Sequence, residues 1–314
     1  MPGTDMTEVA HEVAVAASAD VIYAMIAAVE TWPTVFPPTV HVEHLTRSGT
    51  SERIQLWATA NDALKTWTSR RTLRPEALRV DFEQEISTPP VAAMGGSWIV
   101  EPLTPGSSRI RLLHHYRAVD DDAGAAAWIA QAVDRNSHLE LAALKSTVEA
   151  VTDPADLMFS FEDSVRIKAP AVAVYDFIND AGRWAERLPH VSKVELEEAT
   201  SGLQSLRMET MAPDGHVHTT RSFRVCRPSR VIAYKQVVLP ALMNLHIGRW
   251  TFREDDDGVL ATSRHTVVVN PDRVTEVLGP DGDVAAAKRH IQGALSTNSL
   301  VTLRHAKAHA EGNG

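Results

Sequence analysis

A single cysteine, Cys226, occurs in 314 residues, so the chain can form no internal disulfide and no cysteine-ligated metal cluster. That scarcity fits a reducing compartment, and a cytoplasmic location is the expectation. No apolar run is long enough to span a bilayer, and the opening MPGTDMTEVAHEVAV has no basic segment leading into an apolar one. No membrane association is expected. Positive charge is not in surplus either. The net charge is −9 with scattered acidic residues, which argues against nucleic acid as a partner. GxGxxG, the P-loop, HExxH and GxSxG are all missing. Nucleotide-dependent, zinc-protease and serine-hydrolase chemistry thereby lose their usual support.

What is present is a copy. Val13–Glu43 and Val165–Glu195, set at an offset of 152, share nine identities in 31 ungapped positions. About two would be expected from average composition. Tyr23 meets Tyr175, Ile26 meets Ile178, Trp32 meets Trp184 and Pro37 meets Pro189. A period near 150 is the size of a whole domain rather than of a solenoid repeat. The expectation is two tandem domains, 1–152 and 153–314, each large enough to bury its own core. The junction falls at Val151–Asp156, which is short and not glycine- or serine-rich.

Each half reads in the same order. An alternating strand comes first, then two short helices, the second stopped by Pro37-Pro38 in the first copy. Six strands follow, with turns rich in Gly, Pro, Ser or Asn-Asp. A long amphipathic helix closes each half, from Ala125 in the first and from Val284 to Ala310 in the second. The fold class is α+β: two curved antiparallel sheets of about seven strands, each wrapped around its long C-terminal helix. A curved sheet closed by one helix leaves a cavity unless large side chains fill it.

This order resembles the helix-grip fold of the START and birch-pollen-allergen superfamily. The stretches ETWPTVF, TWTSRRTL and GGSWIV resemble bacterial polyketide aromatase/cyclases more closely, and the duplication resembles their didomain type over nearly the whole chain. One departure is plain. The tyrosine that single-domain members carry seven residues after the Trp of Trp-Pro is replaced here by Thr39 and Val191.

Alternation places Trp67, Ser69, Arg71 and Leu73 on one face of a strand, with Arg70 on the other. A permanently charged fork of donors inside a cavity suits an enolate oxygen. The resemblance implies that Arg71 is the principal active-site residue, with Ser69 beside it. In the second half Thr219 and Arg221 are read as the inward pair and Arg224 as a surface arginine. His114 is expected inward and His115 outward, while His265 and Ser263 share the matching inner face of the second half. An inward histidine near an inward arginine fits general acid/base work, and a packing role fits equally. Trp32, Trp98, Trp184 and Trp250 are core or cavity wall, and an aromatic wall would also hold a flat ring.

The expected function is regiospecific aldol cyclisation and dehydration of a poly-β-ketone, ketoreduced in the pathways that didomain members commonly serve. The resemblance implies an acyl carrier protein as carrier of the chain, and synthase and ketoreductase components as partners. No cofactor or metal is expected. The first half is expected to close the ring, and the second to dehydrate it through Arg221 and His265. A non-catalytic lipid carrier of the same superfamily is the alternative.

Overall fold

The computed structural model describes residues 6–150, 154–211 and 217–312. The chain divides into two compact units, 1–151 and 152–314. Of the expected junction at Val151–Asp156, residues 151–153 lie outside the described residues.

In the first unit, β1 (Thr7–Val15) is followed by α1 (Ala19–Ala27) and α2 (Trp32–Val35). Six strands come next: β2 (Thr39–Ser48), β3 (Ser51–Ala60), β4 (Ala63–Arg74), β5 (Arg79–Ile86), β6 (Val91–Thr104) and β7 (Ser107–Ala118). The long helix α3 (Ala123–Val148) ends the unit. The strands form one antiparallel sheet in the order β1-β7-β6-β5-β4-β3-β2. Alternation explains β1: Val9, His11, Val13 and Val15 are the more buried set, and the residues between them are exposed. Asp122 caps α3, its Oδ1 accepting from Ala125 N–H at 2.7 Å, so a first-turn donor is satisfied. Ile129, Ala132, Val133, Leu141 and Leu144 form the buried side of α3, which packs against β1 and β7.

The second unit repeats this plan. A single turn, α4 (Pro154–Leu157), leads into β8 (Met158–Ile167), α5 (Ala171–Asn179) and α6 (Trp184–Arg187). The strands β9 (Val191–Thr200), β10 (Leu203–Met211), β11 (Val217–Arg227), β12 (Val231–Val238), β13 (Met243–Asp255) and β14 (Gly258–Val269) complete the sheet β8-β14-β13-β12-β11-β10-β9. A short α7 (Val274–Leu278), not expected from the sequence pattern, precedes α8 (Val284–Ala310). Val274 joins Leu242, Met243, Val267 and Ile291 in an apolar cluster, which is what holds that extra turn in place.

Candidate active site

Each sheet and its long helix enclose a cavity. The one in the first unit has a volume of about 120 Å³ and the one in the second about 350 Å³. Sites for small molecules usually run about 300–1,000 Å³, so only the second is of ordinary size.

Strand registers set the two linings side by side. Glu52 pairs with Arg71 and Arg71 with Phe82 in the first sheet; Gln204 pairs with Arg224 and Arg224 with Tyr234 in the second. Phe82 faces Gly96, and Gly96 faces His114; Tyr234 faces Gly248, and Gly248 faces His265. Thr220 therefore stands where Trp67 stands, four strand positions before the inward arginine, His246 where Met94 stands and Ser263 where Leu112 stands. Exchanging Trp67 for Thr220 removes an indole from the wall, which accounts for much of the extra volume. The other exchanges turn apolar wall into hydrogen-bonding wall.

The arginines differ in the same way. Arg71 and Glu52 are each 1% exposed and form an ion pair. Arg71 also donates to Ile26 O at 2.7 Å and Ala27 O at 3.3 Å, and lies 4.8 Å over the Trp32 ring. Burial pulls its pKa down to about 10 while Glu52 opposes the shift, and it remains charged at neutral pH. Arg224 is 2% exposed, donates to Ile178 O at 2.7 Å and lies 5.2 Å over Trp184. Its environment otherwise departs from that of Arg71. Gln204 replaces the carboxylate of Glu52. Glu198, whose charge reaches Arg224, is exposed and held by Gln204 at 2.8 Å. Arg224 lines the larger cavity, and its Nη1 has no hydrogen-bond partner among the described residues. Arg71 lines neither cavity.

Beside Arg224 runs a hydrogen-bonded chain. His246 Nδ1 lies 2.9 Å from Gln236 Oε1, and His246 Nε2 lies 2.9 Å from His265 Nδ1. His265 Nε2 lies 2.8 Å from Ser299 Oγ and 3.0 Å from Ser263 Oγ, and Tyr234 Oη lies 3.2 Å from His265 Nδ1. With Gln236 accepting from His246 Nδ1–H, the network assigns His265 a proton on Nδ1 and a lone pair on Nε2 that accepts from a serine hydroxyl. Burial lowers His265 to about 4 and His246 well below its ordinary range, so both rings are neutral at pH 7. Burial raises Tyr234, which stays a phenol. A Cβ on Gly248 would fall 2.3 Å from Tyr234 Oη, so only glycine lets the hydroxyl cross that strand to reach the histidine.

The smaller cavity has a different polar set. Burial lowers His114 to about 4, and its Nδ1 has no partner among the described residues. Glu140 on α3 is pushed up to about 8 by burial and is protonated at neutral pH. Asn136 donates to Thr59 O at 2.8 Å, a bond to a strand carbonyl.

Several expected residues meet in these cavities. His265, Trp184 and Trp250 line the larger one with Ser263 behind His265, and Trp67 and His114 line the smaller. Ser69, Trp32 and Trp98 are buried but line neither; Trp98 stacks on Phe36 at 5.8 Å. The expected parity of β11 is wrong. Thr219 is exposed, and Arg221 is on the opposite face of the sheet, donating to Ser205 Oγ at 3.3 Å. Thr220, Ser222 and Arg224 are the inward residues, and Arg224 is buried rather than on the surface. Arg71 and Arg224 are 153 apart whereas Glu52 and Gln204 are 152 apart, so the β10–β11 hairpin holds one extra residue. Gaps of zero or two residues keep strand parity; a gap of one reverses it. Arg224, Ser222, Tyr234 and His246 were missed for that reason, or because only cross-strand pairing reveals them.

Among known proteins, models of a family described as "Polyketide cyclase / dehydrase and lipid transport" match residues 15–136 and 158–304. The granaticin polyketide synthase bifunctional cyclase/dehydratase of Streptomyces violaceoruber is 45% identical, over 99% of this chain and 96% of that protein. The actinorhodin polyketide synthase bifunctional cyclase/dehydratase of Streptomyces coelicolor is 46% identical, over 96% of each. The crystal structure of the di-domain ARO/CYC BexL from the BE-7585A biosynthetic pathway superposes with a TM-score of 0.85 at 57% identity, covering 98% of this chain and 99% of that one.

Proposed function

This chain belongs to the polyketide cyclase/dehydrase family, and from that premise we propose that it is an aromatase/cyclase whose reaction chamber is the cavity of the second unit. The observation that carries the proposal is Arg224: a buried cation with no buried carboxylate paired to it and one Nη unsatisfied among the described residues, on the wall of the larger cavity. A charged group left unpaired in the interior is costly, and such sites cluster where charge must be stabilised during a reaction. The substrate is a poly-β-ketone, ketoreduced, delivered on an acyl carrier protein by the synthase. An all-apolar wall would suit a lipid carrier better than this one does.

The chemistry follows from the groups present. A methylene flanked by two carbonyls loses a proton toward His265 Nε2, relayed by Ser299. The enolate oxygen is held by Arg224 Nη1, with the Ser222 hydroxyl on the same wall. The enolate carbon bonds to a distant carbonyl carbon of the same chain, held near it by the cavity walls. The oxygen of that carbonyl takes the Tyr234 proton and becomes a hydroxyl. His265, now doubly protonated, returns its Nδ1 proton to Tyr234. The Nε2 proton left on His265 passes through Ser299 to the new hydroxyl, which leaves as water. A proton from the adjacent carbon passes through Tyr234 to His265 Nδ1, forming a C=C bond and restoring the starting tautomer. The hydroxyl left by ketoreduction is lost as a second water by the same relay run in reverse, and enolisation completes the aromatic ring. The division expected from sequence, ring closure in the first unit and dehydration through Arg221 and His265 in the second, loses one of its two residues, because Arg221 faces away from the cavity that His265 lines. Reconstitution with a minimal polyketide synthase and a ketoreductase tests the function. Adding the protein should convert shunt products into one first-ring-aromatised product, and an unchanged product profile would refute it.

A further inference from the structure

We propose that the first unit carries a surface site for a divalent transition metal such as zinc, formed by His11 of β1 with Asp134 and His138 of α3. These three side chains offer ligand atoms that all lie within 4.8 Å of one another. His11 Nε2 is 3.1 Å and His138 Nδ1 3.5 Å from the same oxygen, Asp134 Oδ1. Zinc–ligand bonds of about 2.0–2.1 Å in a tetrahedron set neighbouring donors roughly 3.3–3.4 Å apart. Two of the three edges are therefore already at the required length, and the exposed His138 can close the third.

The donor chemistry points the same way. Two imidazoles and one carboxylate are borderline ligands that suit zinc, cobalt, nickel or copper better than magnesium or calcium. Asp134 and His138 are four residues apart and so project from one face of α3. The His138 ring packs edge-on against His11, with centroids 4.9 Å apart. His138 Nδ1 also bonds the Asp134 carbonyl oxygen at 2.8 Å, a contact that the exposed ring gives up by rotating. The His11 side chain is only 11% exposed, which fixes one ligand in place, while Asp134 and His138 are 66% and 68% exposed and leave the remaining coordination positions open to water. His11 Nδ1 is buried without a partner among the described residues, so nothing on the far side of the ring dictates its tautomer. Nε2 can present its lone pair once a cation replaces the shared proton. None of the three residues lines the smaller cavity, so the metal would act as a staple between an edge strand and the long helix rather than as a reagent.

The test uses the full chain without a histidine tag, stripped with chelator. Cobalt(II) titration should give the visible absorption of an ordered nitrogen–oxygen site at one equivalent, and zinc should displace it. Zinc should raise the melting temperature of the wild type by several degrees. In His138→Ala, which removes only an exposed side chain, both signals should be lost, with affinity falling at least tenfold. In Asp134→Asn the affinity should also fall. Absence of the cobalt spectrum in the wild type, or an equal zinc-dependent rise in His138→Ala, would overturn the proposal.

Discussion

Arg224→Met should lower the rate of correct first-ring formation by about 10²–10³, the range seen when one donor to a developing oxyanion is removed, while leaving the protein as stable as the wild type or more so. Both halves of that expectation come from the same geometry. The side chain is buried and, among the described residues, lacks a paired carboxylate and leaves Nη1 unsatisfied. Replacing it with an apolar chain of similar length removes a desolvated charge, which is neutral or favourable to folding, at the loss of one bond to Ile178 O. The reaction, however, loses the only arginine that lines that cavity among the described residues. Arg224→Lys keeps the charge but not the planar fork, and should recover a part of the rate. Comparing product formation in the reconstituted pathway with denaturant unfolding of the same samples separates the two effects. A variant that folds normally and makes product at the wild-type rate would remove Arg224 from the mechanism.

Arg71→Met should do the opposite. Glu52 would be left 1% exposed with its buried partner gone. Its other oxygen would still be held by His44 Nε2 at 3.0 Å and Arg47 Nε at 3.8 Å, which places the cost at the lower end of the usual range. Breaking a buried ion pair from one side costs about 3–5 kcal/mol, which for a unit of this size is a drop of roughly 6–20 °C in its thermal transition. The double variant Arg71→Met with Glu52→Gln should recover most of the loss, because no buried charge remains. Gln204 at the matching place in the second unit is a natural instance of that replacement. Loss of product in Arg71→Met would then follow its unfolding and return with the double variant. A change of less than about 1 kcal/mol in Arg71→Met would show that the pair does not hold the first unit together.

The fold was legible in the sequence because its two signals are local and repeat. Alternation marks strands such as β1, and the copy beginning at Val165 marks the second unit. The inward placement of Arg71, His114 and His265 followed from the same alternation. The site was less legible because it depends on pairings between strands. Whether an arginine is neutralised depends on the residue across the hairpin, Glu52 in one unit and Gln204 in the other, far away in sequence from the arginine itself. Parity along β11 depends on a single additional residue in the preceding hairpin, and that residue exchanges Arg221 for Arg224. Cavity size depends on Trp67 in one unit and Thr220 in the other, which become comparable only once that register is known. The family resemblance pointed to Arg71, but it could not indicate that Glu52 occupies the guanidinium.

The claim that chemistry takes place in the second unit's cavity is tested most directly by Thr220→Trp. The substitution places in the larger cavity the side chain that the first unit carries at the matching position, Trp67, on a wall that already faces open space. The reconstituted pathway is run with wild type, Thr220→Trp and, as a control on the other cavity, Trp67→Phe. Thr220→Trp should fold with an unchanged unfolding midpoint and yield only the shunt products seen without the protein, while Trp67→Phe should retain the aromatised product. Full aromatisation by a folded Thr220→Trp, together with its loss in a folded Trp67→Phe, would place the reaction in the first unit instead.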